Sequence, residues 1–146
     1  MKIKVWLDEK FKEPEILICA QEKTEAVKEL QKKLAEALSV SITGYTLNGA
    51  QPILCNDIIR IYSQKDRVFA ECRDGIFAVR KKLYELEQIL PEDQFVRISR
   101  SELVKIHKIK RMDTSLTGTI KMTLSGDVET YVSRRNVTKI KAILGL

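Results

Sequence analysis

The chain is short of the groups from which catalytic and metal sites are built. Its 146 residues contain one histidine, His107. A lone imidazole with no neighbouring cysteine makes neither a zinc site nor a catalytic triad. Within Lys105-Ile106-His107-Lys108 it reads as a strand-surface residue. The three cysteines, Cys19, Cys55 and Cys72, stand far apart, and none forms a CxxC pair. An odd, scattered set argues against a disulfide framework and reads as buried free thiols in a reducing cytosol. There is no GxxxxGK[ST] and no GxGxxG phosphate loop. The close carboxylates Glu85 and Glu87, and Glu92 and Asp93, fall on a helix and at its end, where a solvated face accounts for them. The longest wholly apolar run is Ile16 to Ala20, far short of a membrane span, and Met1-Lys2-Ile3-Lys4 has no apolar signal core. These absences leave no catalytic, cofactor or metal residues to expect. They point to a soluble, cytoplasmic protein that works by binding.

What is present is a core and an uneven charge. At 44% hydrophobic the chain can bury a core without staples. Its length allows one domain, or one with a small appendage. Net charge is +6, yet residues 1–45 sum to 0 and residues 46–96 to −1, whereas residues 97–146 carry eleven basic and four acidic groups, or +7. A local positive excess is the electrostatic footprint of a polyanion binder, although a basic surface also serves solubility.

Patterning divides the chain at about residue 45. Lys2 to Leu7 and Glu15 to Ala20 alternate like short strands. Thr24 to Leu38 comes next with helical period, placing Val27, Leu30, Leu34 and Leu38 on one face. This ββα unit, residues 1–45, is too small to be stable alone, so it reads as a packing or dimerisation element. From residue 46 to 146 the pattern is mostly short strands. Asn48-Gly49 and Asp74-Gly75 are hairpin signals. The polar loop Ser63 to Arg67 separates two apolar strands. Leu83, Leu86 and Leu90 mark a short helix closed by Pro91. Phe95 to Ile98, the stretch from Val104 to Met112, Ile120 to Leu124 and Val128 to Val132 read as further strands, and a last helix buries Val137, Ile140 and Leu144. The fold class is α+β, mostly β.

Two short stretches nearly repeat: Ile98-Ser99-Arg100-Ser101 and Val132-Ser133-Arg134-Arg135. Each ends an alternating stretch and opens a segment with helical spacing. Ser99-Arg100-Ser101-Glu102 fits the S-x-x-E capping box, and Ser133 is placed to cap the last helix. A strand that turns into a helix leaves backbone N–H groups free at the turn. Arginine in a first turn opposes the helix dipole at a cost of about 0.3–1 kcal/mol. Its use there suggests a negative partner, such as the phosphates of a nucleic acid with base edges within reach. The loop Gln64-Lys65-Asp66-Arg67 joins these turns as a third candidate.

The run Phe95 to Val104 resembles the central motif of LytTR-type DNA-binding domains, a strand ending in Phe-x-Arg followed by a His-Arg-Ser-like turn. Val132-Ser133-Arg134-Arg135-Asn136-Val137 is similar to that family's final strand-to-helix turn. Asp57 to Tyr62 and the Leu83-Leu86-Leu90-Pro91 helix fit its first half. The resemblance covers roughly residues 46–146. It implies an elongated domain of three small antiparallel sheets with short helices, whose loops enter successive major grooves of bacterial promoter DNA at paired repeats. It further implies base reading by the Lys65-Asp66 tip, Arg100 and Arg135, a mainly electrostatic contribution from Arg67, and phosphate or turn roles for Ser99, Ser101, Arg134 and Asn136. Ser99 stands where the family commonly has histidine, and Lys105-Ile106-His107 where it has asparagine, which bears on the target sequence. The first 45 residues are too few for a phospho-acceptor receiver, so the chain resembles the short stand-alone members, regulated by abundance, dimerisation or a partner protein. The expected function is a sequence-specific DNA-binding transcriptional regulator acting on double-stranded DNA as a homodimer. An RNA-binding module and a protein–protein interaction module are the alternatives, and an enzyme is the least expected class.

Overall fold

The computed structural model describes residues 1–115 and 117–146, and these divide into two units, residues 1–38 and 39–146. In the first unit the only regular element is the helix α1, Glu25–Leu38. Thr24 caps it, its Oγ1 accepting from the Val27 N–H at 3.3 Å. The pairs Lys28–Glu25 (2.9 Å) and Lys33–Glu29 (3.3 Å) lie along its polar face. Val27, Leu30 and Leu34 are half-buried and Leu38 is exposed. The expected strands at residues 2–7 and 15–20 are not formed. Alternation alone does not make a strand; a single two-stranded pair is marginal in water without a sheet to join. Instead Trp6 meets Phe11 edge to face at 5.5 Å, with the Lys10 ammonium 4.4 Å from the Trp6 ring.

The second unit begins earlier than expected, because β1 (Ser41–Thr46) pairs along its whole length with β2 (Gly49–Leu54). Gly44 permits this: a Cβ there would lie 2.3 Å from the Ile53 Cδ1. Next come β3 (Ile58–Gln64), β4 (Arg67–Cys72), β5 (Gly75–Val79), the helix α2 (Leu83–Ile89), β6 (Phe95–Ser99) and β7 (Glu102–Lys105). All seven strands form one antiparallel sheet in the order β2-β1-β5-β4-β3-β7-β6. A single pair, Tyr45↔Ala78, joins the β1–β2 hairpin to the other five. The strands β8 (Ile109–Asp113), β9 (Ile120–Leu124) and β10 (Val128–Val132) make a second antiparallel sheet, and α3 (Val137–Ile143) comes after it. The three sheets implied by the family resemblance are thus two by hydrogen bonding, the first nearly divided at one residue pair.

Period-two alternation explains why β6 and β7 sit where they do. Phe95 and Leu103 face one core, with Ile58, Ile61, Leu86 and Leu90. Val96, Ile98 and Val104 face the other, with Ile120, Met122, Val132 and Ile140. Both strands are buried on both sides, so each fixes the register of the other. Burying one such aliphatic side chain is worth about 1.5–3 kcal/mol. Cys55 and Cys72 are buried free thiols as expected, whereas Cys19 is exposed. Burial pushes the Cys72 thiol up to about 11 and, against the pull of Lys105, also raises Cys55. His107 lies on a 3-10 turn, Ile106–Lys108, rather than on a strand. No helix among the described residues is long and apolar enough to cross a membrane.

Candidate nucleic-acid interface

Three turns of the second unit come together at one end of its larger sheet. Strand β3 runs toward Gln64 and pairs with β7 through Tyr62↔Glu102. The Ser63 N–H donates to the Ser101 carbonyl at 2.8 Å. The Lys65–Asp66 tip therefore lies beside the Arg100–Ser101 turn. Strand β6 ends next to it, Ser99 pairing with Glu102. The third turn is tied on by the Ser133 N–H, which donates to the Ile98 carbonyl at 2.8 Å. From β3 across β7 to β6 is two strand spacings, about 10 Å. Lys65, Asp66, Arg67, Arg100, Ser101, Arg134 and Arg135 are exposed on these turns; Ser99 and Asn136 are half-buried.

The Lys65–Asp66 tip is a two-residue hairpin in which both residues take positive φ, 50° and 61°. That geometry matches the twist of the flanking strands and normally recruits Asn-Gly. Placing lysine and aspartate there costs on the order of 1–2 kcal/mol per residue. The tip gives up stability to present a cation. Arg67 packs its guanidinium over the Phe69 ring at 5.3 Å.

The Arg100–Ser101 turn is not the start of a helix. It connects β6 to β7 as a hairpin, which corrects the capping-box expectation. Glu102 points into the protein instead. Its carboxylate pairs with Arg60 Nη1 at 3.1 Å and accepts from Thr130 Oγ1 at 2.5 Å, while Arg60 Nε also pairs with Glu71 at 2.6 Å. The network joins β3, β4 and β7 to β10 of the second sheet. Burial works to lower the Arg60 guanidinium, but the bonds and charges of Glu71 and Glu102 outweigh it and hold it above its ordinary value. Around the turn, Ser99 Oγ accepts from the Ser101 N–H at 3.3 Å.

The third turn does run from strand to helix, through a 3-10 turn at Arg134–Asn136 into α3. Ser133 does not cap it by side chain; its Oγ accepts from Asn136 Nδ2 at 2.7 Å instead. Gly118, at φ 76°, makes room for Arg134, whose Nε would lie 3.2 Å from a Cβ at that position. Among the described residues, none of the ion pairs involves Lys65, Arg67, Arg100, Arg134 or Arg135.

Sequence reasoning missed Arg60, Arg97 and Thr130, which hold these turns in place. Arg60 and Arg97 each interrupt an apolar strand pattern, at Ile59-Arg60-Ile61 and Val96-Arg97-Ile98, and that interruption was the available signal. Lys105, taken with its neighbours as a stand-in for a family asparagine, is turned inward: its Nζ donates to the Cys55 carbonyl at 2.7 Å and to Asn56 Oδ1 at 3.1 Å. Burial holds its ammonium below the usual lysine range. It has no part in an outer surface.

A family model described as the LytTr DNA-binding domain matches residues 49–145. An uncharacterized HTH-type transcriptional regulator of Staphylococcus aureus strain MSSA476 is 30% identical over 147 residues, covering 100% of this chain and 99% of that one. A second, from S. aureus strain bovine RF122, is 34% identical over 108 residues, 74% of this chain and 73% of the relative. Among solved structures, a LytTr DNA-binding domain from Bacillus cereus superposes with a TM-score of 0.70 at 21% identity, covering 73% of this chain and 97% of that one; the likeness is one of fold.

Proposed function

Because the chain belongs to the LytTr DNA-binding domain family, we propose that this DNA-binding regulator recognises specific promoter sequences with three turns on one edge. Lys65, Asp66 and Arg67 form the first contact, Ser99, Arg100 and Ser101 the second, and Arg134, Arg135 and Asn136 the third. Arg100 and Arg135 read guanine edges of the duplex, each discriminating by about 1–3 kcal/mol. Lys65, Arg67 and Arg134 supply charge toward the backbone. Ser99 and Asn136 shape their turns through the bonds to Ser101 and Ser133. The observation that carries this is the convergence of five cations, none paired with a carboxylate among the described residues, on turns that the register and the Ser63–Ser101 and Ser133–Ile98 hydrogen bonds bring to one end of the sheet. Such groups can meet phosphates without first breaking an internal ion pair, and each phosphate neutralised steepens the salt dependence by about 0.9 in log–log slope.

The N-terminal unit, residues 1–38, serves assembly into a homodimer. Ile3, Val5, Trp6 and Leu7 are all largely exposed, an apolar cluster that asks for cover. Light scattering on the whole chain should give twice the 16.8 kDa of the monomer; a monomeric mass at micromolar concentration sets that assignment aside.

The experiment that tests the function is selection of bound duplexes from a random pool by the full chain, then competition with single-stranded RNA. A recurring half-site that duplex DNA alone competes for is the expected outcome. Binding without base preference, or preference for the RNA, overturns it.

A further inference from the structure

The Arg100–Ser101 turn has a weakness that its neighbour on the same edge lacks. At Lys65–Asp66 the two positive φ angles match the strand twist. Neither Arg100 nor Ser101 is among the residues with positive φ, and a two-residue turn without that geometry splays its strands. The ladder absorbs part of the mismatch through a register shift between Arg97 and Ser99. The rest falls to one side chain. Arg97 Nε donates to the Ser99 carbonyl at 2.7 Å and Nη2 to the Arg100 carbonyl at 2.5 Å, so the guanidinium spans the entry to the turn. Its remaining arm, Nη1, pairs with Glu87 Oε2 on α2 at 3.0 Å. The side chain is only 21% exposed.

We infer that Arg97 is a positioning residue, which sets the direction in which Arg100 is presented to DNA without touching DNA itself, and that Glu87 anchors it from α2. Two backbone carbonyls and a carboxylate occupy all three nitrogens of the fork, leaving little for a phosphate. A lysine cannot replace it, because a point charge cannot bridge two carbonyls and a carboxylate in one plane. The contribution to DNA binding rests on Arg100 being a DNA contact, as proposed above; the bracing of the turn does not.

The variants Glu87→Gln, Arg97→Lys and Arg100→Ala separate these points, because Glu87 is 41% exposed and its amide fits the same space. In the free protein, Glu87→Gln and Arg97→Lys should speed amide hydrogen exchange from Ser99 to Glu102 and leave Lys65 to Arg67 unchanged. Unchanged exchange from Ser99 to Glu102 overturns the inference whatever the DNA result. On a duplex selected by the wild-type chain, Glu87→Gln should weaken binding roughly two- to fivefold, with the salt slope unaltered, and should add little on top of Arg100→Ala. Tighter binding by Glu87→Gln, or a slope lower by about 1 in Arg97→Gln, which unlike Arg97→Lys removes the charge, makes Arg97 a phosphate contact and overturns the inference. Arg100→Ala binding like wild type, with the exchange change intact, removes the proposed role of Arg100 and leaves the brace standing.

Discussion

Ile98–Ser101 and Val132–Arg135 are nearly the same words folded in two ways. The first closes a hairpin; the second passes from strand to helix. The residues downstream of each decide the difference. After Ser101, Leu103 and Val104 face opposite cores, which only a strand can satisfy. After Arg135, Val137, Ile140 and Leu144 lie on one side of a single core, which only a helix can satisfy. Arginine reaches the same edge by both routes, but the supports differ. The hairpin leans on a buried carboxylate and on Arg97; the helix entry leans on an Asn136–Ser133 bond and the space left by Gly118.

That contrast can be broken most forcefully at Glu102. Glu102→Ala removes one of the two partners of Arg60 and the acceptor of Thr130, and should cost about 3 kcal/mol, read as a lower urea midpoint. Ser133→Ala, at the matching serine of the other segment, should cost about 0.5 kcal/mol. Equal losses contradict the asymmetry. Gly118→Ala comes next. A left-handed φ and the nearby Arg134 should make it about 1–2 kcal/mol destabilising, with duplex affinity reduced and the base preference that depends on Arg100 retained. If that preference shifts as well, the two turns are not separately supported.

Smaller and of opposite sign is the double change Lys65→Asn with Asp66→Gly. Relief of the left-handed strain should stabilise the protein by about 0.5–1 kcal/mol, while duplex binding weakens and its salt slope falls by about 1. A stabilised variant with unchanged binding removes Lys65 from the interface. The effect of pH is confined to the alkaline range. The Cys72 thiol, held up to about 11 by burial, favours the fold in its neutral form. Its stabilisation is complete below pH 9 and fades as pH rises toward 11. Cys72→Ala should flatten the loss of stability between those values and leave the two turns alike, since Cys72 sits on β4 in the first core whereas Ile98 and Val132, which lead into the turns, lie in the other.

The legible parts of the sequence were those with strong periodicity. The helix at Leu83, the last helix and the strands at Phe95, Ile120 and Val128 could be read because each faces a core that rewards one period, whereas the stretch from Val104 to Met112, read as one strand, is divided by the 3-10 turn Ile106–Lys108. Three features could not. The N-terminal alternation has no partner strand to confirm it. The S-x-x-E spacing at Ser99 suits a capping box equally with a hairpin whose glutamate turns inward to Arg60, and Arg60 is remote in sequence. The roles of Arg97 and Lys105 depend on carbonyls that only the folded chain brings near, at Ser99 and Arg100 for one and at Cys55 for the other. Exposed cations are visible in a sequence; the groups that aim them are visible only in the fold.

The central claim is that both arginine-bearing turns serve one recognition edge. Selection from a random duplex pool by the wild-type chain, Arg100→Ala and Arg135→Ala tests it most directly. Each variant should lose preference at its own base positions, by about 1–3 kcal/mol, while keeping the preference supplied by the other. Recovery of the wild-type motif by both variants would contradict it.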